Sequence, residues 1–205
     1  EEVNVEDEIF KNLMFIHSIA IKSLTSKIEI LQEEFKVLYN YSLIDNITSR
    51  VKSPSSIIKK MKNKNIELTY RNLINNINDI AGIRIICNTK DDIFLIKILR
   101  EKDYVTYPKK SGYASYHILV ELPVNVGRDI VNVKVELQVR TKIMDLWASI
   151  EHDIKYKSNQ KITKKASEEL VSCAKKLDKI DKQLSKLYIK TLNSNSLGNL
   201  GLYVK

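Results

Sequence analysis

The chain has 205 residues, of which 43% are apolar and 29% are charged, and its formal net charge at pH 7 is +9. These values allow one domain with a buried core. No apolar run reaches the roughly 20 residues that a membrane-spanning helix needs, so we expect no transmembrane helix. The excess of lysine favours polyanionic partners such as nucleotides or RNA, although a chain rich in Lys, Asn and Ile also reflects the base composition of its gene.

The cysteines and the first residues indicate a reducing compartment. Cys87 lies in an apolar segment and Cys173 in a helical one, and they do not have the spacing of a metal site. Isolated cysteines are typical of reducing conditions. The acidic start of the chain does not resemble a signal peptide. We therefore expect a cytoplasmic protein with two structural cysteines.

The first part of the chain is predicted to be helical. Apolar residues at spacings of three and four predict an amphipathic helix over residues 5–41. Residues 48–54 are interpreted as a break, after which Ser53 caps a helix that has Pro54 at its first position. That helix continues to Lys64 and is dense in lysine.

The remainder of the chain is predicted to hold a mixed sheet and three further helices. Alternation and β-branched residues mark the strands, whereas periods of three and four mark the helices. In chain order, the elements are a strand at 83–87, a helix at 91–102, a short strand at 104–107, a loop at 108–112, a strand at 116–122, a turn at 125–129, a strand at 131–140, a helix from Thr141 to 156, a helix at 163–190 and a mobile tail from Asn193. This order predicts an α+β fold in which helices flank a mixed β-sheet.

The strand at 131–140 carries the most informative residue, Glu136. Valines and Leu137 alternate with polar residues along it, which is the pattern of a half-buried strand. A second strand signal has Asp79 just before it and Arg84 within it. Two carboxylates on neighbouring strands can bind a cation such as Mg²⁺, and one of them can accept a proton from an attacking hydroxyl. The alternative is a solvated strand face, with Asp79 capping a turn.

Basic side chains along the chain predict a phosphate site near these acids. Phosphoryl transfer depends on positioning and on neutralisation of charge, so it needs several cations. The candidates are Arg50, Lys52, Lys60 and Arg84. The loop from Lys109 to His117 adds a glycine next to a tyrosine, which can form a phosphate cradle and a stacking platform. Solvated lysines and a packed histidine are the alternatives.

Five motifs occur in a defined order along the chain. They are Arg50-Val51-Lys52, Asp79-Ile80-Ala81-Gly82-Ile83-Arg84, Ser111-Gly112-Tyr113 with Ser115-Tyr116-His117, Val135-Glu136-Leu137-Gln138-Val139-Arg140-Thr141, and Trp147-Ala148-Ser149-Ile150-Glu151-His152. Together these motifs resemble the RelA/SpoT-type alarmone synthetase domain, and most of all the single-domain small alarmone synthetases of Gram-positive bacteria. The resemblance covers about residues 45–157.

The resemblance implies a nucleotidyltransferase fold of the polymerase-β type and one synthetase domain over residues 1–192. In this division, residues 1–45 form an N-terminal helical region, residues 46–157 the catalytic core and residues 158–192 a C-terminal helix. Residues 193–205 form a flexible tail.

The resemblance also implies an activity and roles for individual residues. Family members transfer the β,γ-pyrophosphate of ATP to the 3′-hydroxyl of GDP or GTP, release AMP and use Mg²⁺, and GMP is a further candidate acceptor here. By position, Asp79 matches the magnesium ligand and Glu136 matches the general base, which shares the metal. The positions that match ATP-binding residues are Arg50, Lys52, Lys60 and Arg84. The positions that match guanine-nucleotide-binding residues are Lys109, Tyr113, His117, Gln138 and Asp145, with Tyr113 stacking on the base.

Several positions depart from the family pattern. The segment 104–109 is shorter than is typical, and Ala114 replaces a residue that is often arginine. Asp145 stands where relatives often carry asparagine or histidine, which predicts that the more highly charged acceptors are disfavoured. Thr25 and Glu29 stand at positions where tetrameric relatives carry lysines of a central alarmone-binding site, so we expect that feedback site to be absent.

The expected partners are ATP, a guanine nucleotide and further copies of the chain. The apolar faces of helices 5–41 and 163–190 predict a homo-oligomer, a tetramer as in some relatives, with core packing inside one subunit as the alternative. Two other functions stay open. The chain can be a toxic relative that pyrophosphorylates the 3′ end of tRNA, or a non-catalytic RNA-binding module, although the acid pair argues against the module. RNA binding is compatible with the positive net charge, and no membrane partner is expected.

Overall fold

A five-stranded mixed sheet organises the part of the chain that the structure describes. The structure is a computed structural model that describes residues 5–95, 101–103, 108–156 and 162–193. Its elements are α1 (Val5–Tyr39), β1 (Ile44–Val51), α2 (Pro54–Asn63), α3 (Tyr70–Asn76), β2 (Ala81–Cys87), α4 (Lys90–Leu95), β3 (Glu101–Asp103), β4 (Tyr116–Val126), β5 (Asp129–Thr141), α5 (Lys142–Tyr156) and α6 (Lys164–Asn193). The strand order is β1-β2-β5-β4-β3, and β2 with β5 is the parallel pair. The predicted α+β fold with a mixed sheet is confirmed.

The alternation in β5 decides which face of the sheet is buried. Val135, Leu137 and Val139 are almost completely buried, and they pack with Ile83 of β2 against apolar residues of α1 such as Leu24. Side chains one residue out of phase point to the opposite face of the sheet. This second face carries the polar residues of β1, β2, β4 and β5, and we call it the polar face.

A second apolar cluster positions the short helices that lie beside the sheet. Ile57 and Met61 of α2 pack with Leu73 of α3 and with Ile80, which directly precedes β2. The predicted start of α2 is confirmed, because the Ser53 hydroxyl accepts a hydrogen bond from the backbone of Ser56 and a proline opens the helix. This packing brings the lysines of α2 towards the start of β2.

Two predicted elements conflict with the structure. Residues 48–54 were predicted to be a break, but β1 (Ile44–Val51) occupies most of them. Among the described residues, this strand pairs on one side only, with β2. Most of its residues are exposed, so it lacks the alternating apolar pattern that marks a strand. The helix predicted at 91–102 is also wrong in extent, because Glu101–Asp103 forms β3. The predicted strand at 104–107 lies outside the described residues.

The strand predicted at 116–122 extends to Val126 in the structure. The proline at position 123 favoured an earlier end, since proline cannot donate a hydrogen bond to a strand ladder. β3 pairs only with the first three residues of β4, so Pro123 lacks a neighbour on that side within the described residues. The turn into β5 is at Gly127, whose φ of 64° suits glycine.

The two C-terminal helices match their predicted positions. The Thr141 hydroxyl accepts a hydrogen bond from the backbone of Met144, as expected for the cap of α5. Trp147 is buried, whereas Ile150 and Ile154 are exposed. α6 packs on α5 through Ala174. None of the helices in the described part of the chain is long and apolar enough to span a bilayer.

Candidate active site

Strand register gathers the predicted site residues on the polar face. Thr48 of β1 pairs with Arg84 of β2, Arg84 pairs with Gln138 of β5, and Gln138 pairs with His117 of β4. Arg50, Gly82 and Glu136 form the next row in the same way. Residues paired across strands point to the same face, so these rows place cations, a carboxylate and an imidazole side by side.

The Asp79 cluster consists of Asp79, Lys52 and Lys60. The Nζ atoms of Lys52 and Lys60 lie 2.6 and 2.7 Å from Oδ2 of Asp79. A backbone hydrogen bond from Lys52 to Ile80, 2.7 Å long, holds the two segments together. Burial of Asp79 favours its protonated form, but the two lysines outweigh this effect and lower its pKa below the ordinary value. Asp79 is therefore a carboxylate at neutral pH.

The residues fit a magnesium ion that is held jointly with substrate phosphates. Oδ1 of Asp79 is buried and has no hydrogen-bond partner among the described residues. The charge of Asp79 also raises the pKa of Glu136, so the two acids influence each other electrostatically. Within the described ranges, no group of three or more His, Cys, Asp or Glu residues could hold a metal by itself. Two carboxylates plus phosphate oxygens and water are a donor set that suits Mg²⁺.

Glu136 is held by hydrogen bonds at both carboxylate oxygens. Oε1 lies 3.2 Å from Nδ1 of His117, and Oε2 accepts a hydrogen bond of 2.8 Å from the side-chain amide of Gln138. Burial raises the pKa of Glu136, but the bonds from His117 and Gln138 outweigh it and the net shift is downward. A carboxylate offers about four acceptor positions, so positions remain for a substrate hydroxyl.

A tight loop places Tyr113 next to His117, the hydrogen-bond partner of Glu136. The Tyr113 hydroxyl lies 2.9 Å from Nε2 of His117, and the two rings meet edge to face. Nζ of Lys109 lies 4.8 Å from the centre of the tyrosine ring. Gly112 allows this arrangement, because its φ is 90° and an added Cβ would lie 2.4 Å from Cβ of Ala174.

Arg50 and Arg84 line one pocket together with Gln138. The pocket has a volume of about 280 Å³ and opens between β1, β2 and β5. Burial lowers the pKa of Arg84, the charges of Arg140 and Arg50 lower it further, and Asp145 opposes them. Three arginines that repel one another are an attractive environment for the phosphates of a nucleotide.

Asp145, in the first turn of α5, contacts arginines of both β2 and β5. Its Oδ1 lies 3.2 Å from Nη1 of Arg84 and 3.1 Å from Nη1 of Arg140. Its negative charge is therefore paired with two guanidinium groups. We expected this charge to disfavour highly charged acceptors, and the two arginines reduce that repulsion.

A larger cavity of about 660 Å³ lies between the Tyr113 loop, α5 and α6. Apolar side chains such as Met144, Trp147 and Leu177 line much of it. The smaller pocket on the polar face is the better candidate for the chemistry, because two arginines line it and Gln138, which also lines it, donates a hydrogen bond to Glu136.

The comparisons with known proteins agree with this geometry. Residues 49–161, more than half of the chain, match the family model described as a region found in RelA/SpoT proteins. The chain belongs to the RelA/SpoT family. Within this family, it is similar to the GTP pyrophosphokinase YwaC of Bacillus subtilis, with 36% identity over 86% of this chain and 89% of that protein. It is also 30% identical to the GTP pyrophosphokinase YjbM of the same organism, over 89% of this chain and 90% of that protein.

Solved structures of RelA/SpoT proteins share the fold. Small alarmone synthetase 1 from Bacillus subtilis, bound to its product pppGpp, superposes with a TM-score of 0.81 at 29% identity, covering 88% of this chain and 97% of that one. Small alarmone synthetase 2 from the same organism gives a TM-score of 0.76 at 35% identity, covering 89% of this chain and 98% of that one. The family resemblance seen in the five motifs is confirmed.

The structure also shows a residue to which the sequence analysis assigned no role. Arg140 lies on the polar face, is 4% exposed, and donates hydrogen bonds to Ser115, Asp145, Tyr113 and Gln138. The sequence signal that could have identified Arg140 is the alternation of β5, which places it on the same face as Glu136. Its partners come from three separate segments, which periodicity alone does not bring together.

Proposed function

We propose that this RelA/SpoT protein transfers the β,γ-pyrophosphate of ATP to the 3′-hydroxyl of GDP or GTP, with GMP as a further acceptor, and releases AMP. The observation that carries the proposal is Glu136, an ionised carboxylate held at both oxygens on a face lined with cations. Similarity to two GTP pyrophosphokinases over most of the chain supports it. The product is a (p)ppGpp-type alarmone of the stringent response.

Arg50, Arg84 and the Asp79 cluster form the ATP side of the proposed site. The two arginines line one pocket, and a planar guanidinium can stack on adenine. Lys52 and Lys60 contact Asp79 in the free protein. When ATP binds, they exchange this contact for phosphate oxygens and neutralise the triphosphate. Asp79 and Glu136 would hold a magnesium ion, which would supply further neutralisation of phosphate charge.

Residues around Glu136 form the acceptor side. Glu136 accepts the proton of the 3′-hydroxyl as that oxygen attacks the β-phosphorus, and AMP leaves from the opposite side. Tyr113 stacks on the guanine, and the cations near its ring attract the acceptor phosphates. Lys109, His117, Gln138 and Asp145 complete the acceptor side of the site.

We further propose that residues 1–192 act as one synthetase domain, with the catalytic core at 46–157. We also propose that this domain assembles as a homotetramer and works in the cytoplasm, where its substrates are found. Exposed apolar side chains on α1 and α6 support self-association. On α1 they include Ile30, Leu31, Val37 and Leu38, and on α6 they include Ile180, Leu184 and Leu187. Light scattering after size exclusion measures the assembly, and a monomer at micromolar concentration contradicts it.

The proposed reaction is tested by AMP release from ATP and Mg²⁺, with GMP, GDP, GTP or tRNA offered separately and Glu136→Gln as the control. AMP together with a 3′-pyrophosphorylated guanosine, both lost in the control, supports the proposal and ranks the acceptors. AMP with tRNA alone indicates the tRNA-modifying enzyme instead. Salt-sensitive RNA binding without AMP release indicates a non-catalytic RNA-binding module.

A further inference from the structure

Five side chains on the polar face close a ring of hydrogen bonds, which we call the Glu136 ring. It consists of Arg140, Gln138, Glu136, His117 and Tyr113. Nη2 of Arg140 donates to Oε1 of Gln138 at 2.8 Å and to the Tyr113 hydroxyl at 2.5 Å. The Gln138 amide donates to Glu136 at 2.8 Å, and His117 joins Tyr113 to Glu136 through bonds of 2.9 and 3.2 Å. Two branches therefore leave Arg140 and meet at the two oxygens of Glu136.

The chemistry of the two ends sets the direction of every bond in the ring. A guanidinium can only donate hydrogen bonds, and a carboxylate can only accept them. Gln138 must then present its oxygen to Arg140 and its NH₂ group to Glu136. Nδ1 of His117 must carry a hydrogen, so in the neutral imidazole Nε2 accepts the hydrogen of the Tyr113 hydroxyl. The hydroxyl of Tyr113 in turn accepts from Arg140.

We infer that Arg140 is a positioning residue, which fixes Gln138 and Tyr113 and through them holds the Glu136 carboxylate in place for the acceptor hydroxyl. This inference rests on the proposed function of Glu136. Arg140 can fill the role because it is itself held. Its Nε donates to Ser115 at 3.3 Å, its Nη1 lies 3.1 Å from Asp145, and the side chain is almost completely buried.

The role requires arginine in particular. One guanidinium here contacts four side chains, using N–H groups that lie in one plane with defined directions. A lysine at position 140 keeps the charge but presents a single ammonium group, which cannot reach Ser115, Asp145, Tyr113 and Gln138 in these geometries. Arg140→Lys therefore separates the geometry of the guanidinium from its charge.

The direction of the bonds is testable without any activity. The chain has three histidines, so nitrogen-15 NMR of the imidazoles, with His117→Gln for assignment, resolves the tautomer of His117. The inference predicts that Nδ1 of His117 carries a hydrogen, because its partner is a carboxylate. An imidazole whose only hydrogen is on Nε2 overturns the ring polarity. This result stands even if no acceptor supports AMP release, so failure of the proposed function and failure of the ring are distinguishable.

The positioning role is tested by steady-state kinetics. A general base that is out of position lowers kcat, so we expect Arg140→Lys to lower kcat by a factor on the order of 10 or more. The KM for ATP should change by less than about threefold. Tyr113→Phe keeps the ring for stacking and removes only the hydroxyl. We therefore expect it to lower kcat while the acceptor KM changes less than about twofold. Arg128→Lys, at an exposed arginine of the β4–β5 turn, is the matched control.

A double-mutant cycle separates positioning from general stabilisation. If Arg140 acts through Gln138 and Tyr113, Arg140→Lys causes little further loss of kcat in the Gln138→Leu, Tyr113→Phe background. Losses that multiply overturn the inference, as does an unchanged kcat in Arg140→Lys. If Arg140→Lys fails to fold, the kcat of Tyr113→Phe decides. A normal kcat in that variant, with its thermal midpoint unchanged, shows that the ring does not position Glu136.

Discussion

The Glu136 ring and the Asp79 cluster hold their carboxylates in different ways. In the ring, both oxygens of Glu136 accept hydrogen bonds from neighbours whose own positions are set by a buried arginine. In the cluster, one oxygen of Asp79 contacts two lysines and the other has no partner among the described residues. With the roles that we propose, the acceptor side is organised before substrate arrives, and we expect the charges on the ATP side to rearrange on binding.

This difference matches the chemistry that we propose for each side. A general base must be held within a few tenths of an ångström of the hydroxyl, and hydrogen bonds with defined directions achieve this. A triphosphate with its metal brings several charges at once, and mobile ammonium groups adapt to it better than a rigid network. The contrast predicts that changes in the ring affect kcat, and that changes in the cluster affect the binding of ATP and metal.

The largest expected effect is that of Glu136→Gln. It removes the group that accepts the proton, so we expect AMP release to fall by a factor on the order of 100 or more. The residue lies at the rim rather than in the core, so the circular-dichroism spectrum should be unchanged and the thermal midpoint should move by only a few degrees. Retention of more than about a tenth of the activity contradicts the role of Glu136 as the base.

Tyr113→Ala comes next. Loss of stacking should raise the acceptor KM by a factor on the order of 10 or more, corresponding to one or two kcal/mol. Loss of the hydroxyl should lower kcat as well, because the residue belongs to the Glu136 ring. The KM for ATP should stay within about threefold, and initial-rate measurements with either substrate varied test this split. An unchanged acceptor KM argues against stacking.

Asp79→Asn is expected to act on the ATP side alone. Without the carboxylate, Lys52 and Lys60 are released for phosphate. Metal-free ATP should therefore bind about fivefold more tightly, which corresponds to the roughly 1 kcal/mol of a partly exposed ion pair. Magnesium should no longer enhance binding. Calorimetric titration in EDTA and in Mg²⁺ measures both effects. Metal enhancement that survives the substitution contradicts the assignment of Asp79.

The smallest expected effect on activity is that of Asp92→Asn, away from the polar face. Burial raises the pKa of Asp92 to about 6, although hydrogen bonds from Tyr41 and Thr89 oppose this. The unfolded value is roughly 3.9. The folded state thus binds the proton more tightly, and this stabilisation, present at low pH, is lost as pH rises from about 4 to about 6.

Asp92→Asn should therefore remove part of the pH dependence of stability and leave kcat unchanged. Denaturant unfolding of both proteins between pH 4 and pH 7 measures the difference, with an upper limit of about 3 kcal/mol. Asp79 and Glu136 have lowered pKa values, so they act in the opposite sense, losing stability as pH falls. Parallel pH curves for wild type and Asp92→Asn contradict the assigned shift.

The sequence predicted the elements whose signals are local. The alternation of β5 and the caps at Ser53 and Thr141 depend on neighbouring residues, and all three were correct. β1 was missed because an exposed edge strand has no apolar face to alternate. The contact between Lys52 and Asp79 joins segments 27 residues apart, and periodicity carries no information about such contacts.

The site residues were assigned through the resemblance, residue by residue, and this explains what was left out. The motif containing Glu136 and Gln138 also contains Arg140, yet its role becomes apparent only when the loop of Tyr113 and the start of α5 are seen beside β5. A charged residue on a strand face is usually solvated, and the sequence offers no measure of burial that distinguishes Arg140 from Lys134 on the same face.

The most direct test of pyrophosphate transfer uses ATP that carries phosphorus-32 at the γ-position, with GDP as acceptor and Mg²⁺ present, and follows the label. We expect one AMP for each labelled guanosine product, and enzymes that hydrolyse 3′-pyrophosphates should remove the label. Glu136→Gln should form neither AMP nor the labelled product. Release of ADP with labelled inorganic phosphate, or AMP without a labelled guanosine product, contradicts pyrophosphate transfer by this chain.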